Sequence, residues 1–258
     1  MDHLSVPLLS KARLCFIFSI DVFQHKVTKP LLKYQNIRLR YFTISKMLSK
    51  TKLWNWFLHS DWQHSPDRND LLWLALSFIQ IYKHGGTILA WDSLSLGPVL
   101  PPSEEQSQSL ALCNGDDLAL NILNFPVKHP LIENILDRAE KTPILTNFDK
   151  NSLIQETLIF CKVKTVTDLE YKQCKTFSPI LPESFACPIE RSRYWTIFDD
   201  KRAKIAAKQV QKKETKIVNL WLNDSENLSI WASESFKSLI YYLSQKHCPF
   251  TFAEQLVL

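Results

Sequence analysis

The chain has 258 residues, 45% of them hydrophobic, enough to bury the core of one large α/β domain without metals or staples. Its formal charge of +5 is spread along the sequence, so it leans slightly toward anionic ligands and singles out none. The six cysteines (Cys15, Cys113, Cys161, Cys174, Cys187 and Cys248) form no CxxC pair and have no histidine at ligand spacing, which argues against a zinc site, and no run approaches the roughly 18 apolar residues of a membrane span.

Ala12 to Ile20 predicts a first core strand; its apolar part, from Leu14, lacks the small-residue cleavage site of a signal peptide. Val22 to Tyr34 predicts a helix carrying basic residues, and Lys33 to Tyr41 alternates apolar and charged residues as a half-buried strand does. Thr43 to Leu58 predicts a helix with Leu53, Trp54, Phe57 and Leu58 on one side. Trp54, Trp56 and Trp62 have flat faces that could stack on sugars, but core packing is the ordinary reading of apolar aromatics. His59 and His64 fall in a polar loop, where histidines are usually solvated, and Pro66-Asp67 supplies a helix start.

The stretch from Asp70 to Leu96 organises the rest. It opens as a helix of about four turns, reaches two of the chain's four glycines at Gly85 and Gly86, and continues as a β-rich run through Trp91, Asp92 and Ser93. A helix, a glycine stop and a buried strand are expected. Asp92 would stand where that strand leaves the core, the place at which open α/β sheets hold metals or phosphates.

Gly97 to Ser107 predicts a polar surface loop. Asn114 to Lys141 contains Phe125, His129 and a helix through Ile135 and Leu136. Asp116 and Asp117 would face opposite ways on a strand and read as a turn, with a catalytic role as the alternative. The prolines between Cys174 and Ile189 predict an irregular strand and turn. Lys201 to Lys216 predicts a basic helix with Ile205, Ala206 and Val210 as its apolar minority. No aromatics interleave its lysines, so a solvated face is expected and nucleic acid is not. Asn223-Asp224-Ser225 and Asn227-Leu228-Ser229 fit the glycosylation acceptor pattern.

Several of these segments resemble the α1,4-glycosyltransferases of the lactosylceramide 4-α-galactosyltransferase-like family, whose members carry SDxxR, a short helix and KYGGxYLDxD. The corresponding residues are Asn69-Asp70, then Lys83-His84-Gly85-Gly86-Thr87-Ile88-Leu89, then Ala90-Trp91-Asp92. Ala90 replaces the first aspartate of the DXD pair, Trp73 replaces the arginine, and about four extra residues, roughly one helical turn, lengthen the helix. Lys33 to Tyr41 is similar to YPNVRLRY, Asn114 to Lys141 to NxxLxF…HPF(I/L), Asn151 to Cys161 to a helix ending in cysteine, and Cys174 to Ile189 to a cysteine followed by VLPPExFYPI. Ile217 to Ser225 resembles the closing strand VHLWNxxS, with Asn219 in place of histidine.

The resemblance implies a GT-A-like fold in residues 1–258, a single open mixed sheet flanked by helices. The donor and metal half would span 12–100; the acceptor half, with the closing strand and helix, would span 101–258. It implies a UDP-sugar donor at Asp70, Gly85, Gly86 and Asp92, and Mn2+ on Asp92 and Asn219, a site weakened by the loss of one carboxylate and one imidazole. No catalytic base is identified. A Cys161–Cys174 disulfide is implied as well, with two buried thiols as the alternative, and with it a lumenal compartment. Relatives are Golgi membrane proteins, so membrane association and a location in the Golgi lumen or membrane are expected, although no targeting or membrane-spanning segment is visible. The activity implied is transfer of galactose or N-acetylgalactosamine in α1,4 linkage to a glycolipid or glycan. Two further readings are a pseudoenzyme that binds glycans or partners on the same fold, and a cytosolic helical interaction protein.

Overall fold

The chain divides into two units that interleave in sequence, Met1–Ile44 with Leu94–Pro101 and Pro188–Leu258, and Ser45–Ser93 with Pro102–Cys187, so each unit draws on both sequence halves. The computed structural model describes residues 14–18, 37–90, 93–96, 110–113, 117–143, 148, 150–171, 181–197, 199, 201–210, 215–219, 238–239 and 241–243.

In the first unit, β1 (Leu14–Phe18) runs parallel to β2 (Ile37–Tyr41), with Leu14 opposite Ile37 and Phe18 opposite Tyr41. A parallel pair needs a crossover; the helix predicted over Val22 to Tyr34 lies outside the described residues. β4 (Ser93–Ser95) pairs with β8 (Ile217–Asn219), and the Leu96 amide donates to the Lys216 carbonyl at 2.8 Å. A 3-10 turn at Arg191–Ile197 and α8 (Ala203–Val210) pack with Ile189, Val218, Leu239 and Leu243 into an apolar cluster flanked by Leu94 and Leu96. Ala203, Ala206 and Val210 recur at helical spacing and are buried, whereas Ile205, expected on the apolar face, is 61% exposed.

The second unit is mostly helical. Thr43 to Leu58 is not one helix: α1 (Ile44–Leu48) and α2 (Trp54–His59) are separated by a turn. Side chains cause the break. Thr51 Oγ1 donates to the Leu48 carbonyl at 2.8 Å and accepts from the Leu53 amide at 3.2 Å, giving the backbone local partners that compete with the helix. Trp56 is buried, edge-on to Phe148 at 4.8 Å and stacked with Trp62 at 6.0 Å, so the core reading of this tryptophan holds.

The predicted central helix is α3 (Arg68–His84), 17 residues long, which buries Leu71, Leu74, Ala75, Phe78, Ile79 and Ile81. β3 (Gly86–Leu89) follows and pairs antiparallel with β7 (Ile122–Phe125), Gly86 opposite Phe125 and Leu89 opposite Ile122. The strand after the glycines, expected to be buried, is β3, which is exposed at Gly86 and Thr87 and half-buried at Ile88 and Leu89; the fully buried strand is its partner β7. Among the described residues β3 has β7 as its only strand neighbour.

β5 (Leu112–Cys113) and β6 (Asp117–Leu118) form a short antiparallel ladder. The unit closes with α4 (Pro130–Lys141), α5 (Lys150–Cys161), α6 (Val166–Tyr171) and the single turn α7 (Glu183–Ala186). Leu181 bridges Ala111 before α7; residues 174–180 of the irregular strand and turn that the prolines predict lie outside the described residues.

The architecture is mixed α/β, as expected. Among the described residues the strands pair two by two rather than in a single open sheet.

Candidate functional site

The second unit holds the stretch that sequence singles out. Gly85 ends α3 with φ +63°, its amide donating to the Ile81 carbonyl at 2.7 Å; Gly86 follows at φ +95° and opens β3. A side chain at Gly85 would place its Cβ 2.8 Å from the Val127 amide nitrogen, so this glycine is required both by its left-handed backbone and by a close approach. Both glycines therefore have a structural task. At 1.5 Å per residue they stand about 22 Å along the helix axis from Asp70, which is exposed in the first turn of α3, where the helix dipole favours a carboxylate. Asp70 and the glycine pair are thus not neighbours.

β3 then leads to Ala90, whose peptide is held on both sides. Its amide donates to the Asn121 carbonyl at 2.9 Å, and its carbonyl accepts from the Ser93 amide at 3.1 Å. Trp91 and Asp92 lie outside the described residues. Asn121 is 4% exposed, and its Nδ2 donates to the Ala186 carbonyl at 3.1 Å, which fixes the orientation of the carboxamide. Asn121 Oδ1 and Ser93 Oγ are buried and have no hydrogen-bond partner among the described residues. Sequence reasoning misses both residues, because nothing in a sequence shows that a side-chain oxygen will be buried without a donor.

Ala186 is fixed in turn by its neighbour. Cys187 is joined to Cys113 by a disulfide, Cα to Cα 5.4 Å. The sequence does not predict this pair; six cysteines allow fifteen pairings and spacing does not choose among them. Cys161 is also disulfide-bonded, while Cys174, its expected partner, lies outside the described residues.

His129 caps α4, its Nδ1 accepting from the Leu131 amide at 3.2 Å, and lies between the rings of Phe125 (5.0 Å) and Phe160 (5.7 Å). Burial lowers its pKa to about 4. His64 is exposed, with Nδ1 2.6 Å from Asp61 Oδ1, and His59 is exposed too. Asp117 is the first residue of β6, opposite Cys113, rather than part of the turn; Asp116 lies outside the described residues. Lys52 joins Asp137, sits 3.5 Å from Glu133 and lies over the Tyr82 ring, while the Tyr82 hydroxyl donates to Glu133 at 2.9 Å. The bond to Asp137 raises the Lys52 pKa, and that to Glu133 raises the Tyr82 pKa. The cluster ties α3 and α4 to the turn before α2.

In the first unit, Asn219 ends β8 and is buried. It offers a neutral amide oxygen. Among the described residues no three His, Cys, Asp or Glu side chains converge as a metal site would require, and Ala90 contributes only a methyl. These residues do not by themselves make a cation site. Nor, among the described residues, is any helix long and apolar enough to cross a membrane.

A family model described as the alpha 1,4-glycosyltransferase conserved region matches residues 124–255, half of the chain. The chain belongs to the α1,4-glycosyltransferase family. The match begins at Asn124 in β7 and runs through α4, α5, α7, α8 and β8, so the family's conserved region covers Asn219, Cys161 and Cys174 but starts after Asp70, the glycines and Asp92. No solved structure matches the chain.

Proposed function

We propose that this chain is a GT-A-like glycosyltransferase that moves galactose or N-acetylgalactosamine from its UDP-sugar, in α1,4 linkage, to a glycolipid or glycan. The observation that carries the reading is the family match over residues 124–255. A mixed α/β fold is compatible with it. In this reading Asp70 and Asp92 face the donor. Asp92 would supply the one protein carboxylate to Mn2+, which would offset charge on the departing UDP. The Cys113–Cys187 disulfide supports an oxidising compartment, which suits a Golgi lumenal enzyme working at a membrane surface.

The test is calorimetry of the full chain with UDP-galactose and UDP-N-acetylgalactosamine, with and without manganese, beside Asp92→Ala. Binding that needs manganese and disappears in the variant supports the reading. If neither nucleotide sugar produces heat under either condition, the transferase reading fails, and a pseudoenzyme that binds a partner takes its place.

A further inference from the structure

The Ala90 end of β3 carries two buried oxygens with no hydrogen-bond partner among the described residues, Asn121 Oδ1 and Ser93 Oγ, on residues that each bond the Ala90 peptide. A buried acceptor left without a donor costs roughly 1–3 kcal/mol, and folds keep such groups mainly where a ligand or an ordered water supplies the donor. Asn121 cannot relieve the cost by turning its amide around, because Nδ2 is engaged by the Ala186 carbonyl at 3.1 Å. That carbonyl is itself fixed by the neighbouring disulfide of Cys187 with Cys113. The Oδ1 lone pairs are thus oriented by the backbone and a covalent staple.

We infer that Asn121 Oδ1 and Ser93 Oγ form a neutral subsite that binds a hydroxyl of the nucleotide sugar. This rests on the donor reading above. A carboxamide oxygen accepts from an alcohol O–H, and a serine hydroxyl can accept from or donate to the same group. Neither group carries charge, so the subsite suits an alcohol better than a cation or a phosphate. The hydroxyl can come from the hexose or from the ribose; the chemistry is the same and the test separates them.

The test is calorimetric binding of UDP-galactose and its monodeoxy analogues, altered in the hexose or in the ribose, to the full chain, to Asn121→Ala and to Ser93→Ala. Removing one particular hydroxyl should weaken binding to the unaltered chain roughly tenfold. The same removal should cost little in Asn121→Ala, because the partner is already gone. The position of the sensitive hydroxyl assigns hexose or ribose. Asn121→Ala strips the Ala186 carbonyl of its donor and can fail to fold, whereas Ser93→Ala leaves no partner unpaired and keeps the comparison open. If UDP-galactose binds but no single hydroxyl matters, or if its loss is felt equally in all three proteins, the subsite is overturned and the donor reading stands. If UDP-galactose does not bind at all, both fall.

Discussion

Cys113 and Cys187, 74 residues apart, are joined by a disulfide between the end of β5 and the residue after α7. Both cysteines lie in the buried part of the second unit, where the short ladder of β5 and β6 has little pairing of its own. Closing a loop of this length removes unfolded-state entropy worth about 4 kcal/mol in the chain-entropy account. The double variant Cys113→Ser/Cys187→Ser should therefore lower the unfolding free energy of the second unit by about that amount, read by urea denaturation. Peptide mapping under non-reducing conditions should recover the linked pair. A stability loss well under 1 kcal/mol would show that β5 and α7 are held together without the bond.

Much of the second unit is legible in the sequence because its signals are local. The apolar spacing of α3, the glycines that end it and the helix through Ile135 and Leu136 each act within a few residues, and the structure places them as read. The turn inside Thr43 to Leu58 is not legible, because the Thr51 hydroxyl competes with a helix whose apolar pattern continues past it. The disulfide depends on which loops meet in space, and a count of cysteines does not contain that. Burial of β7 rather than β3 also reflects tertiary placement, since Thr87-Ile88-Leu89 and Ile122-Leu123 are similarly apolar. Ala90 and Asn219 each stand out by comparison with the family motif, whereas Asn121 becomes visible only through its unmet Oδ1.

Gly85 and Gly86 should respond differently to alanine. Both have positive φ, +63° and +95°, but only at Gly85 would an added Cβ meet backbone, 2.8 Å from the Val127 amide nitrogen, whereas Gly86 faces open space. Gly86→Ala should cost the strain alone, about 1–2 kcal/mol. Gly85→Ala should cost roughly 3 kcal/mol or more, because the segment after β7 must also move. Urea denaturation of the two variants compares them directly, and equal losses would remove the close approach as the reason for Gly85.

His129 makes the second unit sensitive to acid. In the folded chain its pKa is lowered from 6.5 to about 4 by burial, so the imidazole stays neutral while the unfolded chain takes up a proton. The contribution to stability is complete above the unfolded pKa. It falls as pH drops from 6.5 toward about 4, and levels off below that, for a total loss of about 3 kcal/mol. Protonation would also place a proton on Nδ1, which now accepts from the Leu131 amide, so the cap of α4 and the charge penalty act on the same group. His129→Asn keeps a capping side chain and removes the titration. Urea unfolding at pH 7, 5.5 and 4 should show the unaltered chain losing about 3 kcal/mol more than this variant across that range. Parallel pH profiles would mean that the imidazole is solvated well enough to protonate in place.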